Sequence, residues 1–254
     1  MIDAALQGVR DAALAKVAAG SDDVRYIVVG ANDGMRGDPL YHLTGAPNWH
    51  GLLFEPLDGP FESLQAAYSG RPNARTIRKA VVADSPGGRR IFHSVPFSTT
   101  NSSFRRDVIE KHANMPGFEN VAERIVTVEV ECVSVSELAA EPGFRAPDIL
   151  LTDTEGYDFV LFKAWWAQGW RPGFVQIEVI HLSVAERMEI AVAVRAAGYE
   201  PFWFRADMFA VRRDRIAADD LALMTAVRDL ATANIVQGNE LAALRAAAGT
   251  PTAG

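Results

Sequence analysis

Tyr26-Ile27-Val28-Val29-Gly30-Ala31-Asn32-Asp33-Gly34 (YIVVGANDG) is the stretch on which the fold turns. Four β-formers stop at Gly30, and a short polar run closed by Gly34 follows. Aliphatic and aromatic residues in unbroken succession suit a strand buried on both faces. A glycine at its end permits positive φ and lets a ligand approach the main chain closely. The pattern predicts strand, turn, and then a helix over residues 37–44, whose first N–H groups would face an anionic or polar ligand. The glycines do not fit G-x-G-x-x-G, so a dinucleotide is not the first choice. A second apolar run, Leu52-Leu53-Phe54, ends on Glu55 and Pro56. An acid about 20 residues beyond a glycine turn is placed to bind ribose hydroxyls. Turn and acid together predict a nucleoside-cofactor site at the carboxyl ends of parallel strands.

Outward from that stretch, strands and helices alternate. Residues 2–17 form an amphipathic helix with Ile2, Leu6, Val9, Ala13, Leu14 and Val17 on one face. A helix is expected over 60–68, a third strand within 74–83, and a short extra strand after the Gly87-Gly88 turn. Residues 96–104 (PFSTTNSSF) are polar and turn-rich and could fold over a site. The alternation in 120–135 predicts a strand at the sheet edge. Ala146 to Thr152 and Gly173 to Ile180 are two further core strands. Tyr199 to Phe204 and Met208 to Arg212 form a closing hairpin, followed by a long helix over 219–247 with Leu221, Met224, Val227 and Leu230 on one face. The tail after Gly249 reads as frayed. Such alternation implies an α/β fold, a mostly parallel central sheet with helices on both faces.

Composition sets limits on partners. The chain has 254 residues, 49% hydrophobic and 22% charged, enough for one domain with extensions. The expected division is an N-terminal helix over 1–20, the main domain over 21–215, and a C-terminal helix and tail over 216–254. A net charge of -7 disfavours nucleic acid, whose binding relies on clustered Lys and Arg. The single cysteine, Cys132, forms no internal disulfide and rules out a multi-cysteine zinc site. No leader and no apolar run of membrane-spanning length is visible, so a cytoplasmic protein with no membrane partner is expected.

The segments line up, in order, with one family. VVGANDG (28–34) resembles the opening turn of S-adenosylmethionine-dependent methyltransferases, and Phe54-Glu55-Pro56 resembles their ribose-binding strand end. Asn101-Ser102-Ser103-Phe104 is similar to the Ser-Ser-Leu segment of the FkbM family. Leu150 to Trp165 (LLTDTEGYDFVLFKAW) is similar to that family's I-D-x-E-G-x-E-x-x-V-L hallmark, with Asp158 in place of the usual Glu. Gln176 to Leu182 resembles its next strand, and Gly198 to Arg213 its closing hairpin. The resemblance covers roughly residues 24–213 and implies a Rossmann-like methyltransferase fold with an antiparallel closing hairpin.

It also implies roles. Gly30, Ala31, Asn32 and Gly34 would surround the methionine part of S-adenosylmethionine, and Glu55 would take the ribose hydroxyls. Ala80 and Val81, with Lys79, would border the adenine. Asp153 and Glu155 stand where a core strand ends, facing the cofactor's amino group or the acceptor. The same pair could bind Mg²⁺ with substrate oxygens, but with no third ligand in view no metal is expected. Glu178, amid Ile177 and Val179, needs a partner if buried. Of the five histidines, His181 at that strand's exit is the preferred general base. Ser102 and Ser103 are placed on the substrate side. The implied activity is O-methylation of a hydroxyl on a saccharide or related secondary metabolite, with a small molecule or oligosaccharide as acceptor. The terminal helices could pair two copies into a homodimer. The rival reading is a non-catalytic nucleoside-binding or assembly domain.

Overall fold

The computed structural model describes residues 2–84 and 86–248; for residue 2 and residues 234–248 it gives the helical backbone alone. The tail after Gly249 lies outside the described residues. In chain order the elements begin with α1 (Ile2–Ala19), β1 (Val24–Val29), β2 (Trp49–Phe54), α2 (Asp58–Tyr68), β3 (Ala74–Ile77), β4 (Ala80–Val82) and β5 (Gly88–Ser94). Then come α3 (Arg106–Glu110), α4 (Val121–Arg124), β6 (Val126–Ser134), α5 (Val135–Ala140), β7 (Ile149–Thr152), α6 (Asp158–Ala167) and β8 (Phe174–Glu178). The chain closes with α7 (Val184–Ala196), the hairpin β9 (Tyr199–Phe204) and β10 (Asp207–Arg212), and α8 (Ala218–Ala248).

Seven strands form the main sheet in the order β3-β2-β1-β7-β8-β10-β9. The first five run parallel, and β10 is antiparallel to both β8 and β9. The fold is thus mixed α/β with a mostly parallel sheet, a Rossmann-like arrangement closed by an antiparallel hairpin. Strand pleating divides β1 between two cores. Val24, Tyr26 and Val28 join α1, α2 and α8 on one face, while Ile27 and Val29 join α5, α6 and α7 on the other. Gly51 is required where β2 passes β1, because a Cβ there would lie 2.0 Å from the Tyr26 ring.

Three expectations change. No helix forms over 37–44; residues 31–48 are turns. The Asp33 carboxylate accepts the Met35 and Arg36 N–H groups at 2.9 Å, Asp38 accepts from Leu40 at 2.7 Å, and Gly34 and Gly37 adopt φ of 72° and 74°. These side-chain acceptors compete with helix propagation. The third strand is two strands: after Ile77 the chain turns, and Ala80–Val82 leaves the main sheet. Residues 126–134 are the centre of a second sheet, order β4-β6-β5, not an edge of the first. Their alternation reflects one solvated face, which an edge strand and a small separate sheet share.

Both terminal helices pack into the same core. Leu6, Ala13, Leu14 and Val17 of α1 join Met224 and Ala231 of α8 over the sheet. Leu221 and Val227 pack partly against that core, but Leu230 is 65% exposed, so Ala231 takes the place expected of Leu230. Among the described residues no helix is long and apolar enough to cross a membrane. Met224→Ala should lower stability by about 2–5 kcal/mol, whereas Leu230→Ala should stay within about 0.5 kcal/mol. Urea unfolding of the two variants checks this orientation of α8.

Candidate active site

At the carboxyl ends of β1, β2, β7 and β8 lies a cavity of about 580 Å³, within the usual range of small-molecule sites. Gly30, Ala31, Asn32, Glu55, Ala80, Val81, Ser102, Asp153, Glu155 and Glu178 all line it. Gly34, Ser103 and His181 do not line it, and each has a different task. A Cβ on Gly34 would meet Leu64 at 2.5 Å and Tyr68 at 2.9 Å, so this glycine admits α2 rather than a ligand. The Ser103 hydroxyl donates to the Glu155 carbonyl at 2.8 Å and accepts the Arg105 N–H. Ser102 does face the cavity, with its hydroxyl bonded to Ser94 at 3.1 Å.

The glycine turn is built by strand contacts. Gly30 has φ of 80°, and a Cβ there would lie 1.8 Å from the Asp153 carbonyl oxygen. The N–H groups of Gly30 and Ala31 both donate to the Phe54 carbonyl, and Asp153 N–H donates to Val29. Three strand tips are thereby drawn together. No helix N-terminus follows; Asn32 is left-handed, at φ of 47°, and its N–H donates to Glu55 Oε2 at 3.0 Å. Glu55 Oε1 accepts from Leu57 at 2.9 Å. A carboxylate has about four lone-pair sites, so two remain for a ligand. Glu55 is buried, and burial raises its pKa to about 7 against the pull of those two N–H groups.

Beyond β7 and β8 the acids crowd. Asp153 stands open to the cavity. Protein encloses it on its other sides, and that burial, then the carboxylates of Asp158 and Glu155, holds its pKa well above the ordinary value. Burial comes first for Glu178 too, then Asp153 and Glu155, and again the pKa is raised. Glu155 is left-handed at φ of 53°, a strained state for a non-glycine residue, held by Ser103 on its carbonyl. Its Oε2 is hydrogen-bonded to His181 Nε2 at 2.9 Å, and Glu178 Oε1 lies 3.8 Å from the same nitrogen. The structure therefore brings His181 to the acids from behind, out of the cavity. A third carboxylate beside Asp153 and Glu155 is that of Glu178, one oxygen of each lying within 4.8 Å of the others. Asp158 is fully buried and accepts the Thr154 N–H at 3.2 Å, closing the turn despite being shorter than Glu.

Several wall residues were not anticipated. Gln7, Arg10 and Asp11 bring α1 to the cavity, and Asp38, His42, Gln176 and Asp207 join them. Arg10 is 8% exposed, with its guanidinium 5.4 Å from the Phe204 ring centre. A charge among Leu6, Val9 and Ala13 on the apolar face of the first helix was the available signal. Gln176 Nε2 donates to Asp207 Oδ2 at 2.8 Å. Burial raises Asp207 to about 6, and Arg10 opposes it. Asp207 lies opposite Glu178 in the β10–β8 register, a pairing that needs the strand order.

Residues 29–201 match the model of the Methyltransferase FkbM domain. No curated protein matches the chain. Among solved structures, methyltransferase FkbM from Methylobacillus flagellatus KT aligns at 12% identity and TM-score 0.46, over 75% of this chain and 44% of that one. The chain thus spans less than half the length of that relative. Human methyltransferase-like protein 13, in complex with SAH, aligns at 11% identity and TM-score 0.44, over 87% and 90% of the two chains. Aeropyrum pernix fibrillarin, with natively bound S-adenosyl-L-methionine, aligns at 12% identity and TM-score 0.38, over 78% and 74%.

The Glu55 environment has a consequence for stability. Its folded pKa, about 7, lies above the ordinary value, so the folded state binds the proton more tightly than the unfolded one. The associated stability is present below about pH 4.3, the unfolded value, and is lost as pH rises through the folded pKa. Ligand-free protein should therefore melt at lower temperature at pH 8 than at pH 5. Glu55→Gln should flatten that slope, which melting curves across the range would read.

Proposed function

The chain belongs to the FkbM methyltransferase family, and on that premise we propose that it transfers the methyl group of S-adenosylmethionine to a hydroxyl of a saccharide or related secondary metabolite. The observation that carries the donor is Glu55, which lines the cavity at the tip of β2, is fixed there by two backbone N–H groups and keeps about two further acceptor sites. Those sites suit the paired hydroxyls of a ribose. Gly30, Ala31 and Asn32 border the methionine part, Asp153 faces its amino group, and Ala80 and Val81 flank the adenine. The charge of the wall supports the same donor. Asp11, Asp38, Glu55, Asp153, Glu155, Glu178 and Asp207 outnumber Arg10, Arg36, Lys79 and Arg205 around the cavity. A bound sulfonium and ammonium favour the ionised form of these carboxyl groups, whose pKa values burial has raised, and the product, having lost the sulfonium charge, is held less strongly.

The transfer is an in-line displacement. The acceptor oxygen forms the new C–O bond, the C–S bond breaks with its electron pair left on sulfur, and the hydroxyl proton passes to a base. Glu155 faces the cavity beside Asp153 and is the group that meets the hydroxyl. His181, behind it, orients the carboxylate and shares the proton. Holding both reactants in line supplies much of the rate; proton transfer adds about 10²–10⁴-fold. Ser102 and the neighbouring Thr99 and Thr100 form the polar wall on the acceptor side. Helices α1 and α8 act as extensions of the main domain, the first of them completing the cavity.

Two variants test the reading. Glu55→Ala should weaken S-adenosylmethionine binding by about 1–3 kcal/mol, the loss of a charged acceptor, with the fold retained. Calorimetry that finds unchanged affinity removes Glu55 from the site, and a preference for NADH overturns the donor. His181→Ala should cut methylation of a glycoside panel by about 10²-fold or more with donor affinity close to normal. Donor binding with no turnover of any hydroxyl would favour the nucleoside-binding reading instead.

A further inference from the structure

Glu178 is 6% exposed, and its Oε2 has no hydrogen-bond partner. Leaving a buried carboxylate oxygen unsatisfied is costly, so a ligand for it is expected. The nearest acidic groups are Asp153 and Glu155. One carboxylate oxygen from each of the three lies within 4.8 Å of the other two. All three line the cavity. Among the described residues His181 is the ion-pair partner of Glu155 and Glu178, Asp153 has none, and no Lys or Arg is paired to any of the three. The left-handed Glu155 is held through its backbone by Ser103 and through its Oε2 by His181, with a carboxylate oxygen within 4.8 Å of one from each of the other two acids.

We propose that Asp153, Glu155 and Glu178 bind a divalent cation of the Mg²⁺ and Mn²⁺ class at the cavity wall. Three hard carboxylate oxygens from two strand ends suit such an ion, which keeps its remaining positions for water or substrate oxygens. His181 then holds a coordinating carboxylate from the outer shell, through the 2.9 Å bond to Glu155 Oε2. His112, Glu155 and His181 also approach one another within 4.8 Å, a set suited to a softer metal. Neither histidine lines the cavity, and His181 Nε2 is engaged with Glu155, which favours the carboxylate side. Ion binding stands on these residues alone. Its use in catalysis, drawing an acceptor hydroxyl to the wall and easing loss of its proton, rests on the methyl-transfer reading.

The test is Mn²⁺ titration of the full chain followed by electron paramagnetic resonance, with S-adenosylmethionine calorimetry on the same protein. One Mn²⁺ per chain is expected, displaced by excess Mg²⁺. Glu178→Gln, nearly isosteric, should weaken Mn²⁺ binding at least about tenfold with circular dichroism unchanged; Asp153→Asn is the second variant should the first fail to fold. Absence of saturable Mn²⁺ binding overturns the site, as does binding that neither variant alters. Zn²⁺ binding lost in His112→Ala but kept in Glu178→Gln also overturns it, by moving the ion to the histidines. Donor binding without Mn²⁺ binding rejects the cation site alone. Mn²⁺ binding that Glu178→Gln abolishes, in protein that binds no S-adenosylmethionine, upholds the site and rejects the donor.

Discussion

The contact on which the site depends is that of Gly30 with the backbone of Asp153. No side chain fits between them, because a Cβ on Gly30 would lie 1.8 Å from a carbonyl oxygen. With that gap closed, β1 and β7 end side by side, and the Phe54 carbonyl takes two N–H groups from the same turn. The chain must then leave β1 in a left-handed step at Asn32, which aims the Asn32 N–H at Glu55. One steric requirement thus fixes the floor of the cavity, the direction of the turn and the orientation of the acid on the next strand. Glycine here serves packing first. Access for a ligand follows from the shape that packing leaves.

A second constraint is electrostatic. Parallel strands that end together deliver their terminal side chains to one place, and here those include Glu55, Asp153 and Glu178. Concentrated carboxylates repel and lose water, and both effects raise their pKa values. The same arrangement makes a cavity that prefers cations. The cost in the ligand-free state and the affinity for a positively charged ligand have one origin. The orphaned Glu178 oxygen marks where that cost is least relieved by the protein itself.

What was legible in the sequence follows from this physics. Runs such as Ile149–Thr152 and Phe174–Glu178 are buried on both faces, and the largely apolar, β-branched and aromatic character of ILLT and FVQIE announced them. Their acidic ends announced the site, and Glu55, Asp153, Glu155 and Glu178 do converge on one cavity. His181 shows the limit: a strand exit fixes an approximate address, but one further turn puts the ring behind Glu155 instead of in front of it. The absent helix over 37–44 shows another. Apolar Leu40, Leu43 and tyrosine spacing looks helical, yet Asp33 and Asp38 bind the N–H groups that a helix would need. Strand 126–134 alternated as expected, but alternation reports a solvated face and not which sheet carries it.

The two sides of the cavity differ in where along the chain they come from. Gly30, Glu55, Val81, Asp153 and Glu178 all fall within the matched residues 29–201. Gln7, Arg10 and Asp11 on α1, and Phe204 and Asp207 on the closing hairpin, fall outside them. Arg10 is held among apolar neighbours by the packing of α1 against the sheet, and it faces Asp207 across the same wall. The helix that looks like an appendage in sequence is therefore structural for the cavity: its apolar face anchors it, and the polar residues beside that face become lining. A change at residue 7 or 11 alters the shape and charge of this wall without disturbing the Gly30 turn or Glu55. The geometry thereby separates cavity residues bound to the strand tips, which packing against Gly30 constrains, from those that a docked helix delivers from outside the sheet.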